Sequence, residues 1–325
     1  MPIGFNQAWF ENSYGHQFMD KSYNPKEIER IFALAKQANA HSLRLWLFES
    51  SDFSMIHFKD NSPAALKNEY IQNIIQTLEI AKKYQVKVYA TIFDAHQFNP
   101  LNKPAKQLIR FRSLFNSING DLFIKNVMIP LLESIKENDL QNQIDKIDLI
   151  NEGDTMVNRF AFNQGWNGVK KFICNWKNQI QGVHGFEKLP VTLSVRLHPL
   201  LSLPRDFLNN SGPMQCADFI DFHSYNDAGN INRCRWIKDF ADKKLKKIIL
   251  GEFGQGYFNK TYSDQLQVKN TQNYIKNAQS CGFSEAFAWR LSDIRQGHNK
   301  EARYSFESFG TPRPAFYVIR DFNNQ

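Results

Sequence analysis

The sequence predicts an α/β protein in which one parallel sheet closes into a single (β/α)8 (TIM) barrel. Three observations predict it. Eight strand-like runs follow one another along the 325 residues, each trailed by a helical or long connecting segment. Runs such as Ile248-Ile249-Leu250 are uncharged and apolar throughout, the character of strands covered by helices on one side and by barrel interior on the other. The first strand also lacks the glycine-rich phosphate turn that a doubly wound sheet ordinarily offers, since it reads Gly4-Phe-Asn-Gln-Ala-Trp9. The length suits one large barrel. No acidic, basic or Pro/Gly/Ser-rich tract longer than a short loop marks a linker, so residues 1–325 are read as one domain.

Taken in order, Ile3–Phe10 reads as the first strand, and a polar loop runs to Tyr23. Asn24 then caps a helix with Pro25 at its first position, and Ile28, Ile31, Phe32, Ala35 and Ala38 share one face at 3.6-residue spacing. Ser42–Phe48 is the second strand, carrying Arg44 inside an apolar run. Ser62-Pro63 supplies the cap and first turn of a long helix whose stripe is Leu66, Tyr70, Ile71, Ile74, Ile75, Leu78 and Ala81. Val86–Phe93, the third strand, ends at Asp94-Ala-His96, and a longer polar connection leads to a helix over 121–137. The fourth strand is Ile144–Asn151, followed by a loop over 153–168 and a helix over 169–183. Strand five covers 190–196, and 204–216 holds at most a short helix. Strand six covers 218–223, with a helix near 232–243 before the seventh strand. That strand finishes at Gly251-Glu-Phe-Gly254, where the two glycines let other groups approach closely. A helix over 263–280, an eighth strand over 285–289 and a closing helix over 312–322 complete the chain.

The net charge is +8, but Lys and Arg are spread along the chain, and the densest group, Lys238 to Lys247, reads as a solvated helix face and strand lead-in. Nucleic acid is therefore not the expected partner, whereas an acidic polysaccharide suits the charge. Cys174, Cys216, Cys234 and Cys281 lack C-x-x-C spacing, so four buried thiols are expected, with a Cys216–Cys234 bridge only in an oxidising compartment. No apolar run approaches the ~20 residues of a membrane span. The N-terminus lacks a signal-peptide pattern, so a secreted or periplasmic location is expected only if a leader has been removed. A monomer is expected. No cofactor motif is present, and although His96, His198, His223 and His298 fall toward one end, no H-x-H or H-E-x-x-H spacing supplies a metal ligand set.

Residues at the C-terminal ends of barrel strands converge on one mouth. That brings Arg44, His96, Asn151, Glu152, His223, Tyr225, Glu252 and Trp289 to a shared site. Strands four and seven lie on opposite sides of an eight-membered ring, so Glu152 and Glu252 face each other, and two such carboxylates are what glycosidic bond cleavage requires. One of the pair has to be kept protonated and the other ionised, and a cation and a phenol near one carboxylate lower its pKa while a less supported carboxylate stays protonated.

Asn151-Glu152, His223-Ser-Tyr225 and Glu252, in this order over nearly the whole chain, resemble the clan A retaining glycoside hydrolases, most of all the family 5 cellulase-like enzymes, with family 39-like enzymes also similar. The resemblance implies that Glu152 is the general acid/base and Glu252 the nucleophile. It further implies that Asn151 holds the sugar 2-hydroxyl, that Arg44 and Tyr225 bond Glu252, that His223 stands beside the acid/base or the substrate, and that Trp289 is a stacking floor. His96 resembles a substrate-binding histidine of family 5 on a two-residue match. Gly153 departs from the proline that often follows the acid/base, so the loop there takes another path; Trp166, with Arg159, Phe160 and Phe162, is expected to line the subsites. A metal-dependent barrel hydrolase and an inactive carbohydrate-binding barrel are the competing functions.

Overall fold

A computed structural model describes residues 1–10, 13–48, 53–98, 109–110, 112–115, 117–157, 165–196, 212–225, 238–239, 242–243, 245–254, 263–292 and 304–325. Its central sheet is built from β1 (Ile3–Gln7), β2 (Ser42–Trp46), β3 (Lys87–Asp94), β4 (Ile144–Asn151), β5 (Val191–Thr192 and Val195–Arg196), β6 (Phe219–Ser224), β7 (Lys247–Phe253) and β8 (Glu285–Ala288). Neighbours pair in sequence order, every pairing is parallel, and β8 returns to pair with β1. The ring closes at β5, whose first piece pairs with β4 (Ile147 with Val191) and whose second pairs with β6 (Val195 with Phe222). This is the predicted (β/α)8 barrel.

The outer layer is amphipathic helix. In α1 (Pro25–Gln37) the Asn24 side chain accepts from the Lys26 amide, and Ile28, Ile31, Phe32 and Ala35 are buried as the spacing predicts. Helix α2 spans Asn68–Tyr84 and buries Tyr70, Ile71, Ile74, Ile75, Leu78 and Ala81. It starts later than the Ser62-Pro63 signal implies, because Ser62–Leu66 instead pairs antiparallel with Ile56–Lys59 as a hairpin. Three consecutive segments, Ser117–Phe123, Ile124–Met128 with π pitch, and Ile129–Glu137, form α3, which begins before residue 121. Helix α4 spans Gly165–Gln181, α5 Asp264–Ser280 and α6 Pro314–Asn323. The first strand stops at Gln7, since Trp9–Phe10 turns off to pair with Ser13–Tyr14. Helical residues occur at 238–239 and 242–243, but most of the stretch over 232–243 and all of 204–211 lie outside the described residues.

The expectation of four thiols does not hold. Helix α4 packs on a short turn at Pro213–Gln215, and this brings Cys174 and Cys216 to a Cα separation of 5.1 Å, where they form a disulfide. Cys216 therefore does not pair with Cys234; Cys281 is disulfide-bonded as well. Lys246 is likewise not simply solvated, since its ammonium donates to the Met214 and Gln215 carbonyls. None of the described helices is long and apolar enough to cross a membrane.

Inside the barrel the two-residue strand period stacks side chains in layers. At the bottom, Lys146 of β4 bonds Asp145 at 2.5 Å and Glu285 of β8, which also meets His41 at 3.0 Å. Above it Tyr89, Phe219, Ile249 and Phe287 make an aromatic and aliphatic plug. Two residues further along their strands come Asp221 on β6 and, from β2 and β4, Arg44 and Asp148, all fully buried. One more step brings His223 and the carboxylates to the mouth.

Candidate active site

Arg44 is the hub of the buried layer. Its Nη1 donates to Glu252 at 2.6 Å and Asn6 at 3.1 Å, and its Nη2 to Asp148 at 2.6 Å and Asn151 at 2.8 Å. The guanidinium lies 4.4 Å from the Trp46 ring centre and 5.3 Å from that of Tyr89. Burial works against its charge, but Asp148 and Glu252 outweigh that and raise its pKa. One cation thus ties β1, β2, β4 and β7 together.

Glu152 sits just past β4 with φ +51, a left-handed conformation that a non-glycine residue adopts only when its surroundings impose it. Ser194, between the two pieces of β5, imposes it. Its Oγ accepts from the Glu152 amide at 3.0 Å and its carbonyl from the Gly153 amide at 2.9 Å, while its own hydroxyl donates to Asp148 at 2.7 Å. The Glu152 carboxylate meets His96 Nε2 at 2.7 Å and His223 Nδ1 at 3.2 Å. Glu252, on the facing strand, accepts from Arg44 and from the Tyr225 hydroxyl, and lies 3.5 Å from the same His223 Nδ1. One oxygen of Glu152, one of Glu252 and a nitrogen of His223 lie within 4.8 Å of one another. Arg44, Tyr225 and His96 take up the outward lone pairs, so protein donors meet the charge of the pair.

Asn151 and Trp289 lie at the same mouth. Asn151 donates to Asp94 at 3.1 Å while accepting from Arg44, and its second amide hydrogen has no acceptor among the described residues. Trp289 is packed edge-on against Trp9 and Trp46 at 5.4 and 5.6 Å, in a cluster with Ala8 and Tyr304. Trp166 belongs to α4, but its side chain, like residues 158–164, lies outside the described residues. His198 and His298 do too.

The charges are distributed differently from the expectation. Burial raises the Glu152 carboxyl, but hydrogen bonds from His223 and His96 overcome it and hold the group well below its usual range. Asp94 and Glu152 push His96 up to about 10. Burial raises Glu252, against the pull of His223 and Arg44, and pushes Asp154, two residues beyond Glu152, up to about 7. Glu152 is thus the better supported anion, because two imidazoles reach it.

Four participants escape a reading of strand ends: Asn6, Asp148, Ser194 and Asp221. Asp221 has a legible signal, since it precedes His223 by two on one strand and so shares its inward face. Nothing in the sequence singles out Ser194.

No protein-family model matches the sequence, and neither does any curated protein. Solved structures do match in fold. A β-1,4-D-mannanase from Cryptopygus antarcticus superposes with a TM-score of 0.71 at 16% identity, covering 99% of this chain and 91% of the other. A GH5_18 protein from Streptomyces cattleya, solved in complex with Manb1-4GlcNAc, gives 0.74 at 10% identity over 99% and 80%. The exo-β-1,4-mannosidase Op5Man5 from Opitutaceae bacterium strain TAV5 gives 0.70 at 13%; the chain spans 59% of its length. These neighbours share the barrel.

Proposed function

We propose that the protein is a retaining glycoside hydrolase of the family 5 type, cleaving β-glycosidic bonds of a poly- or oligosaccharide by double displacement. The observation that carries this reading is the Glu152–Glu252 pair on facing strands, with oxygens within 4.8 Å. Oxygens this near favour a nucleophile that attacks the sugar directly, the arrangement in which the carboxyl groups lie about 5 to 5.5 Å apart, over the wider gap that admits a water. Glu252 attacks the anomeric carbon, and Arg44 and Tyr225 orient it. Glu152 protonates the leaving oxygen and later activates water.

Glu152 and His96 act as one coupled acid. The proton rests on imidazole and crosses the 2.7 Å contact from His96 as the leaving oxygen gains charge. Asn151 presents its remaining N–H to the 2-hydroxyl, and Trp289 offers its ring as the floor. Residues 1–325 act as a single catalytic unit on this reading, with no cofactor.

The structural neighbours named above make β-1,4-mannosidic linkages the first substrates to try. Acidic polymers belong in the same panel: Arg196, half-buried beside Asp154 and paired in register with His223, has no side-chain ion pair among the described residues. The decisive test is Glu252→Ala. Turnover should fall to near zero, and added azide should restore it and give a glycosyl azide of inverted configuration. Absence of that product, with wild-type activity established on the panel, removes Glu252 as nucleophile. Saccharide binding by the wild type with no reducing ends released would instead favour a binding barrel.

A further inference from the structure

His223 is surrounded by acids. Its Nδ1 lies 3.2 Å from Glu152 Oε1 and 3.5 Å from Glu252 Oε2, and on the other edge of the ring Nε2 faces Asp221 Oδ1 at 3.8 Å. Neither Nε2 nor Oδ1 has a hydrogen-bond partner, and both are buried. The other Asp221 oxygen accepts from the Tyr89 hydroxyl at 2.5 Å. Space for this carboxylate is made on the next strand: a Cβ on Gly251 would stand 1.9 Å from Asp221 Oδ1, and the β6–β7 register shifts at that point, pairing His223 with Glu252.

Chemistry fixes what this arrangement requires. A bare lone pair on Nδ1 would point at two carboxylate oxygens, and a bare lone pair on Nε2 would point at a third; both are repulsive, and each would leave a buried polar atom unmet. Protons on both nitrogens make all three contacts attractive, Nδ1 toward the two glutamates and Nε2 as one side of an ion pair with Asp221 at 3.8 Å. We propose that Asp221 is a positioning residue that keeps His223 doubly protonated, so that an imidazolium stands between Glu152 and Glu252 throughout turnover. This rests on those two residues being the catalytic pair.

The role follows from the distances. In the first step Glu252 loses its charge as it bonds to the sugar, and the proton that Glu152 passes to the leaving oxygen is drawn from His96, so the negative charge left on the pair is that of Glu152. A cation at 3.2 and 3.5 Å from the two stabilises charge on either one, so it supports Glu252 as the ionised nucleophile before attack and Glu152 as the anion after it without moving. Asp221 prevents the ring from surrendering its second proton. The other charged groups that bear on the ring act in both directions: Glu152 from the end of β4, Glu252 from β7 and Asp154 from the turn after Glu152 favour the cation, while Arg44 from β2 opposes it. Asp221 in turn feels Asp148 and Arg44 as well as the Tyr89 phenol.

The test is nitrogen-detected NMR of protein labelled with 15N-histidine, with His223→Gln used to assign the resonance. In the wild type both ring nitrogens of His223 should carry protons at pH 7.5, where an unperturbed imidazole is neutral. In Asp221→Asn the transition should move to lower pH by on the order of 1–3 units, the scale set by one adjacent charge. The alkaline limb of kcat/KM on soluble β-1,4-mannan should move the same way. Asp221→Thr removes the charge with a residue suited to a strand, should the asparagine variant fold poorly. A neutral His223 in the wild type at pH 7.5, or an unmoved transition in the variants, overturns the inference. Because the resonance is read without turnover, a protein that cleaves no glycan but shows the imidazolium would refute the proposed activity and leave the charge assignment standing.

Discussion

Replacing Arg44 by methionine keeps most of the side-chain volume and removes the charge. It strips the buried Glu252 and Asp148 carboxylates of a partner at 2.6 Å each, and takes donors from Asn6 and Asn151. Breaking a buried pair by removing one member costs about 3–5 kcal/mol, because the remaining charge is left uncompensated. Here two acids lose the same cation, so the upper end of that range is expected near neutral pH.

The deficit should also depend on pH. Burial already raises the Glu252 carboxyl, and loss of Arg44 sends it higher. Below the unfolded value of about 4.3 the carboxyl is protonated in both states and adds no penalty. As pH rises past that point the unfolded chain releases its proton while the folded variant still holds one, so stability falls until the folded group ionises. Urea unfolding of wild type and Arg44→Met, followed by circular dichroism between pH 4 and 8, reads this directly. The gap should be small at the acid end and widen to several kcal/mol at the other. A gap under about 1 kcal/mol, or one flat with pH, would refute the account of Arg44 as the charge hub.

Two further outcomes follow from features away from the mouth. Glu285, held near a pKa of about 2 by His41 and Lys146 against the effect of burial, adds stability that is present above about 4.3 and lost as pH falls toward 2; Glu285→Gln should therefore cost about 2 kcal/mol at pH 7 in urea melts, with the difference closing through that acid window. The Cys174–Cys216 bridge closes a loop with a sequence separation of 42, so the paired change to alanine should lower stability by up to about 4 kcal/mol, and the loss should match the part of the dithiothreitol effect that this bridge supplies.

The barrel was legible because its strands are continuous apolar runs and its helices carry clean stripes, as Ile28 to Ala35 and Tyr70 to Ala81 show. Strand ends then located Glu152, Glu252 and His223 together, and Arg44 showed as a lone charge inside an apolar strand. Local signals failed where a neighbour in space decided the outcome. Ser62-Pro63 carries a helix-start signature, yet pairing with Ile56–Lys59 claims it for a hairpin. Cys216 finds Cys174 because α4 lies against the Pro213 turn, a proximity absent from their spacing. The low pKa of Glu152 depends on His223 and on His96, which reaches it from beyond the β3 end at 2.7 Å, and no residue pattern encodes that reach. Asp148 and Asp221 were missed for a different reason: they lie one layer below the mouth, visible in the two-residue period but not at a strand end.

The split fifth strand couples the integrity of the fold to the readiness of the site. Ser194 occupies the gap between its two pieces and binds the backbone of Glu152 and Gly153. The seam where the ring shuts is thus also the clamp on the proposed acid. An opening confined to that seam, far smaller than global unfolding, would free Glu152 from its left-handed turn while Arg44 and Glu252 stayed bonded. Gentle heating should therefore extinguish turnover, and raise amide exchange at 191–196, before the barrel melts.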